Sequence, residues 1–278
     1  MGIAEIYKKS LKDSLKFKRL FPFFALFSIS SSISLFFLLP IVSVLPNLLT
    51  LKITQENVNT ILLNFFSLFI LFLITFILSC WFSGALIYDV WREEGFSAGL
   101  NYSRKLLAQV LSLAFILAFL NILLSSLSYA GVLLRLLTSF IFLFSPSLII
   151  IKREDFLSSM KKSCEIVRKN LLSSFVFWFF LFLIYFLLLL ISYFLTLLSI
   201  SPVLLKIFSV YQLFSAYELS EEALVQMVGI ITNSLENLVA SLLIFSFFFS
   251  YSYVFLTTAE THYFLFLTRK KLISSRQS

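Results

Sequence analysis

Long stretches without any charge constrain the fold of this chain more than any other feature of its sequence. The longest such stretches lie at residues 20–51, 57–88, 106–134 and 172–205. A helix that crosses a bilayer needs roughly 20 mostly apolar residues, and each stretch supplies more than that. The pattern excludes a soluble globular protein and a disordered chain. It predicts an all-α, multi-pass integral membrane protein.

The apolar residues divide into six predicted transmembrane helices, at about 20–46, 60–88, 106–128, 131–151, 172–200 and 237–262. Of the 22 lysines and arginines, 19 fall in the N-terminal segment, the loops after spans two and four, or the C-terminal segment. Because cytoplasmic loops are enriched in these residues, we expect a cell-membrane protein with both termini in the cytoplasm. The net charge of +8 then reports orientation, and nucleic acid is not an expected partner.

Each odd-numbered predicted span follows a short amphipathic segment, and the three segments align without gaps at residues 11–19, 96–104 and 160–168. Apolar residues recur at positions one, five and seven, with a small residue at position four and an arginine at position nine. Positions one, four and five share one face of a helix. We interpret each segment as an elbow helix lying in the headgroup region. The alternative is that any loop between hydrophobic helices looks amphipathic.

The repeated segment predicts an internal repeat within a single membrane domain covering residues 1–278. Each unit would hold one elbow helix and one hairpin of two spans, with boundaries at about 1–92, 93–152 and 153–278. The arginine at position nine marks the point where the chain enters the bilayer. We therefore expect membrane-surface basic residues at Arg19, Arg104 and Arg168.

Several short motifs resemble those of a known group of proteins. The third segment contains Ser163, Asn170 and a basic pair at 168–169 just before a long apolar run. Further motifs of that group correspond to residues 84–85, 88–92, 95–97, 257–263 and 269. The chain thus resembles a diffuse prokaryotic family of uncharacterised multi-pass proteins, related to the membrane domain sometimes attached to glycerophosphodiester phosphodiesterases. The resemblance covers most of the chain from about Gly84, and it implies six membrane helices with no established activity.

Residues capable of catalysis or metal binding are sparse. His262 is the only histidine, and Glu260 lies two residues before it, on a different face of the helix. The cysteines Cys80 and Cys164 indicate neither a disulfide framework nor a Cys/His metal site. There is no P-loop, G-x-G-x-x-G or G-x-S-x-G motif, and no second intramembrane aspartate accompanies Asp89. We therefore expect no catalytic, cofactor or metal site, and no enzyme.

Polar residues inside the predicted spans are the remaining candidates for function. They are Glu260, His262, Asn121, Ser30 and Ser34. For the serines of span one the alternative is close helix packing. Glu260 would face either a cytoplasmic cavity or a basic partner such as Arg104 or Arg168.

Two functions stay open at the level of the sequence. The first is a non-enzymatic protein that handles membrane lipids or other membrane proteins, because the elbow helices would embed in the inner leaflet. The rival is a small-solute transporter or permease subunit with a polar cavity between its spans. The loop at about 201–236 is expected to form one or two amphipathic helices on the outer surface, one of them starting at Ser220.

Overall fold

The computed structural model describes residues 2–214 and 221–274, and within these ranges the chain is almost entirely helical and contains no β-strand. Its helices in chain order are α1 (Ile3–Ser14), α2 (Phe17–Leu49), α3 (Gln55–Arg92), α4 (Phe96–Arg104), α5 (Leu107–Ser125), α6 (Ser128–Ile141), α7 (Ser145–Lys152), α8 (Phe156–Lys169), α9 (Leu171–Phe214), α10 (Glu221–Thr232) and α11 (Leu235–Ser274).

Among the described residues, six helical segments are long and apolar enough to cross a membrane. They are Phe17–Leu49, Gln55–Arg92, Leu107–Ser125, Ser128–Lys152, Leu171–Gln212 and Leu235–Thr268. The predicted all-α class and the predicted six spans are confirmed. Large apolar side chains such as Leu63, Phe65 and Leu172 are exposed, as expected of a multi-pass membrane protein whose outer faces contact lipid.

The fifth span is longer than the apolar stretch alone predicts. Helix α9 continues through Pro202 and ends at Phe214, whereas the sequence interpretation ends the span near residue 200. The loop after the fifth span contains helix α10, which begins at Glu221, and the position of this helix on the outer surface stays a prediction. The expected start at Ser220, together with residues 215–219, lies outside the described residues.

The fourth span is broken rather than continuous. Helix α6 ends at Ile141 and α7 begins at Ser145, with Pro146 in its first turn. Proline lacks an amide hydrogen and its ring obstructs the carbonyl four residues earlier, so it interrupts the helical ladder. The Ser163 hydroxyl bridges the break, donating to the Ile141 carbonyl at 2.8 Å and accepting from the Phe144 amide at 3.1 Å.

Glycine is common in turns, but the turn between α5 and α6 does not use Gly131. Gly131 lies inside α6, and the residue with positive φ is Ser128, at 48°. A Cβ at Gly131 would sit 1.8 Å from the carbonyl oxygen of Leu124. The glycine is therefore needed for close approach of the two helices and not for the conformation of the turn.

The described chain forms two compact units. The first contains Met1–Phe23, Ile77–Leu187 and Ser250–Ser278, and the second contains Phe24–Phe76 and Leu188–Phe249. This division follows packing, whereas the three predicted units follow the sequence repeat, whose boundaries remain a prediction. The core of the first unit is aromatic: Tyr263 stacks on Phe177 at a centroid distance of 4.1 Å, and Phe177 stacks in turn on Tyr7 at 5.3 Å.

The three aligned amphipathic segments all belong to the first unit. Helix α4 coincides with the second segment and α8 contains the third, whereas the first segment runs from the end of α1 into the start of α2. The small residues at position four, Ser14, Gly99 and Ser163, are all buried. A Cβ at Gly99 would lie 2.4 Å from the Ala85 carbonyl oxygen, so α4 contacts the backbone of α3 at this point.

Candidate functional site

A buried group of charged side chains joins four helices of the first unit. Arg19 at the start of α2 is only 4% exposed, and its Nε lies 2.6 Å from Asp89 Oδ2 on α3. Its Nη1 lies 3.4 Å from Asp13 Oδ2 on α1. Arg19 is predicted at the membrane surface from the sequence, and the structure adds that its guanidinium is buried between two carboxylates, which offset its desolvation.

The same cluster includes the only histidine. His262 Nε2 on α11 lies 3.0 Å from Asp13 Oδ2, and Lys16 Nζ lies 2.7 Å from Asp13 Oδ1. Burial raises the pKa of Asp13, but the hydrogen bonds from Lys16 and His262 and the nearby charge of Arg19 outweigh it and leave that pKa below its usual value. Asp13 is therefore ionised at neutral pH and holds α1 against α2 and α11.

The other carboxylate of the cluster also positions a turn. Asp89 Oδ1 accepts a hydrogen bond from the Gly95 amide at 2.8 Å. Gly95 has a φ of +94°, a conformation that favours glycine, and it directly precedes α4. The cluster consequently fixes where α4 begins relative to α3. In the part of the chain that the structure describes, no three His, Cys, Asp or Glu side chains are grouped to hold a metal ion.

A pocket of about 420 Å³ opens beside this cluster. Three of its lining residues are basic in type, namely Lys9, Arg92 and His262, and one is acidic, Glu93. The rest of the lining is apolar or aromatic: Val90, Trp91, Leu265 and Phe266.

The two cations of this pocket, Lys9 and Arg92, make only weak contacts with neighbouring side chains. Lys9 Nζ and Glu93 Oε1 are 4.0 Å apart and both side chains are well exposed. The Arg92 guanidinium lies over the Trp91 ring at 4.2 Å. Both cations are therefore available to an anion that enters the pocket.

A second cavity, of about 250 Å³, contains the candidate Glu260. It is enclosed by residues of α3, α5, α7 and α11, most of them apolar. The polar lining residues include Ser83, Tyr253, Thr257 and Thr261. Neither Arg104 nor Arg168, the basic partners that the sequence suggests, lines it. Glu260 therefore faces a cavity, as in the first alternative, and the cytoplasmic position of that cavity stays a prediction.

The serine candidates belong to the second unit. Ser30 and Ser34 line a groove of about 340 Å³ between α2 and α3. Ser30 Oγ and Thr75 Oγ1 are 2.7 Å apart and share a hydrogen bond. These contacts serve helix packing and also leave a partly polar groove. The geometry therefore agrees with both alternatives for the serines, close packing of helices and a polar lining.

The remaining candidates lie apart from these sites. Asn121 on α5 is exposed, and so are Arg104 at the end of α4 and Arg168 near the end of α8. Arg168 lines a pocket of about 490 Å³ together with Lys161, Glu165 and several apolar residues. Arg104 and Arg168 are thus exposed, in contrast to Arg19, and their place at the membrane surface stays a prediction.

Four site residues are not predicted from the sequence: Lys9, Arg92, Asp13 and Asp89. The available signal was Asp89, a single acid at the end of a 32-residue stretch without charge at 57–88, where an unpaired carboxylate would be costly. No family model, curated protein or solved structure matches the chain.

Proposed function

We propose that this protein is a non-enzymatic membrane protein that handles lipids, and that it binds the headgroups of anionic phospholipids. The observation that carries the proposal is the pocket of about 420 Å³ that combines Lys9 and Arg92 with an apolar and aromatic lining. A phosphodiester needs cationic donors, and the lipid attached to it needs apolar surface next to them. The pocket supplies both within one site.

The balance of charge at the pocket favours an anion. Lys9 and Arg92 outnumber Glu93, and the Lys9–Glu93 pair is long and exposed, so it contributes little on its own. Arginine binds phosphate oxygens in a fork of two N–H donors. Trp91 and Phe266 add the aromatic surface that is common where the headgroup region meets the acyl chains.

The orientation expected from the charge distribution supports the same function. With both termini in the cytoplasm, the pocket would lie at the inner leaflet of the cell membrane, where anionic lipids attract basic segments. The exposed Arg104 and Arg168 would extend the positive surface beyond the pocket. Membrane lipids are thus the primary partners in this proposal, and other membrane proteins are further partners that the same surface could contact.

The internal repeat is part of the proposal. The burial of Ser14, Gly99 and Ser163 at the same position of the three segments supports three related units, each with one amphipathic helix at the inner leaflet. The small residue lets each segment contact a neighbouring helix closely. The resemblance to the membrane domain associated with glycerophosphodiester phosphodiesterases belongs to the same proposal and agrees with a role at the lipid surface.

Titration with a fluorescent anionic lipid in detergent or nanodiscs tests the proposal. The double variant Lys9→Gln, Arg92→Gln removes both cations from the pocket. A basic side chain near an anionic surface contributes about 1 kcal/mol, so the loss of two predicts an affinity for phosphatidylglycerol that is weaker by roughly thirtyfold. Binding of phosphatidylcholine should change little.

A charge-matched control separates the pocket from the overall charge. The variant Lys52→Gln, Lys206→Gln also removes two positive charges, but from the second unit. It should retain the wild-type affinity for phosphatidylglycerol. An equal loss in both double variants, or no preference of the wild type for anionic over zwitterionic lipid, would contradict the proposal.

A second candidate function, a small-solute transporter or permease subunit, is favoured by the groove at Ser30 and Ser34. It predicts that proteoliposomes take up a small polar solute such as glycerol faster than empty liposomes. Ser34→Leu should block this uptake by filling the groove, while Asn121→Leu, on an exposed position of α5, should not. Uptake that equals that of empty liposomes would eliminate this candidate.

A further inference from the structure

The cavity that contains Glu260 has a composition unlike the basic pocket. It measures about 250 Å³ and is lined mainly by aliphatic side chains such as Val110, Leu113 and Leu117 from α5. Within this apolar enclosure the only charged type of side chain is Glu260. A carboxylic acid in the membrane-embedded part of a protein is costly and commonly marks a binding or transport site.

Glu260 has no partner within the described part of the protein. Among the described residues, none forms a hydrogen bond or an ion pair with its carboxylate. The nearby His262 does not pair with the Glu260 carboxylate, because its side chain contacts Asp13 in the cluster around Arg19. Glu260 is half-buried, and a carboxylate that is partly removed from water without a partner carries a desolvation cost, so this site lacks the group that would offset it.

The two threonine hydroxyls of the cavity are disposed to accept hydrogen bonds. The Thr257 hydroxyl donates its hydrogen to the Tyr253 carbonyl at 3.0 Å, and the Thr261 hydroxyl donates to the Thr257 carbonyl at 2.7 Å. Ser83 Oγ and the Tyr253 hydroxyl share a bond of 2.6 Å. A hydroxyl that already donates its hydrogen still has free lone pairs. The cavity therefore presents acceptors and a carboxylate to whatever occupies it.

We propose that this cavity is a binding site for a primary ammonium group, with Glu260 as its counter-ion and the hydroxyls of Thr257 and Thr261 as further acceptors. An ammonium carries three donors and no acceptor, which matches the polar atoms available. The aliphatic lining accommodates the carbon chain next to the nitrogen. The volume is below that of a site for a drug-sized ligand, so the ligand is a small alkylamine or the head of an aminolipid.

The chain contains a reporter for this site, because Cys80 lines the same cavity. Methanethiosulfonate reagents modify cysteine: the thiol loses its proton, its sulfur bonds to the transferred alkylthio group, and methanesulfinate leaves. The cationic aminoethyl reagent and the neutral propyl reagent have chains of the same length, and they differ in ending with an ammonium or a methyl group. The ratio of their rate constants at Cys80 therefore measures whether the cavity favours an ammonium.

The experiment uses the full chain in nanodiscs with Cys164→Ser, which leaves Cys80 as the one thiol. The cationic reagent should be favoured, and Glu260→Gln should lower the ratio of rate constants by about tenfold, as expected for loss of a nearby charge in a weakly polar site. Glu260→Asp should preserve most of the ratio. In the matched background Cys80→Ser, with the exposed Cys164 as reporter, Glu260→Gln should have no effect.

Two outcomes would overturn the proposal. One is a ratio of rate constants at Cys80 that the Glu260→Gln substitution leaves unchanged, and the other is failure of both reagents to reach Cys80. Retention of the wild-type thermal unfolding temperature by Glu260→Gln shows that a changed ratio reflects the cavity and not misfolding.

Protection experiments identify the source of the amine. Slower modification of Cys80 in discs that contain phosphatidylethanolamine than in discs of phosphatidylcholine alone indicates a lipid amine. Slower modification on addition of butylamine, and not of butanol, indicates a free alkylamine. Protection by neither amine contradicts the proposal. The outcome is independent of the basic pocket, because none of the cavity residues lines that pocket.

Discussion

Replacement of Asp89 by asparagine tests the buried charge cluster, because it removes one charge while keeping the shape of the side chain. In the wild type the Asp89 carboxylate lies 2.6 Å from Arg19 Nε, and both side chains are less than one-tenth exposed. The variant leaves the guanidinium with Asp13 as its remaining counter-ion, at the longer distance of 3.4 Å. An incompletely compensated buried charge is strongly destabilising.

The burial of this ion pair sets the expected loss in the free energy of unfolding. Breaking a buried ion pair by removing one partner costs about 3–5 kcal/mol. Asp13 stays in place, and the asparagine oxygen can still accept a hydrogen bond from the Gly95 amide. We therefore expect a loss of unfolding free energy at the lower end of this range, about 3 kcal/mol. The neighbouring pair of Lys9 and Glu93 is 4.0 Å long, with side chains 46% and 72% exposed, so Glu93→Gln should cost less than about 1 kcal/mol.

The assay is reversible unfolding by sodium dodecyl sulfate of the purified protein in mixed micelles, followed by circular dichroism. The quantity compared is the free energy of unfolding of the wild type, Asp89→Asn and Glu93→Gln, each at the same pH and ionic strength. A loss below about 1 kcal/mol for Asp89→Asn, or equal losses for the two variants, would refute the reasoning that burial makes the Arg19 cluster a structural lock.

Further predictions use the same unfolding assay. Gly99→Ala places a Cβ 2.4 Å from a backbone oxygen of α3 and should cost about 1–3 kcal/mol, whereas Gly229→Ala, which meets no atom within 4 Å, should be neutral or stabilising. Ser163→Ala removes both bonds across the break between α6 and α7 and should cost about 1–3 kcal/mol; the exposed Ser173→Ala should change little. Because the folded pKa of Asp13 is lowered, its contribution is present above the ordinary pKa of 3.8 and is lost as pH falls through the folded pKa. An acid titration should therefore destabilise the wild type more than Asp13→Asn, and equal acid sensitivity would contradict this assignment.

Most of the fold follows from local sequence patterns. Runs of apolar residues fix the number of spans, and the break in the fourth span has a local cause in Pro146. The sequence interpretation nevertheless misses that break, because the apolar run continues across it and proline is tolerated in membrane helices when another group satisfies the freed backbone atoms. Here that group is Ser163, which lies 22 residues from the Ile141 carbonyl that it contacts.

The site could be predicted only in part, because its contacts join distant parts of the chain. Glu260 and His262 are visible in the sequence as polar residues near the end of a span. Their environments are not: His262 pairs with Asp13 across 249 residues, and Glu260 faces a cavity formed by four helices. Arg19 matches Arg104 and Arg168 in the aligned segments, yet it alone of the three is buried between two carboxylates, and these draw it into the interior.

The central claim is that the pocket at Lys9 and Arg92 selects anionic phospholipid, and native mass spectrometry tests it most directly. The wild type and the variant Lys9→Gln, Arg92→Gln are each released from micelles that contain equal amounts of phosphatidylglycerol and phosphatidylcholine. We predict that the wild type retains phosphatidylglycerol in preference to phosphatidylcholine and that the variant loses this preference. Equal retention of the two lipids by the wild type, or an unchanged preference in the variant, would contradict the claim.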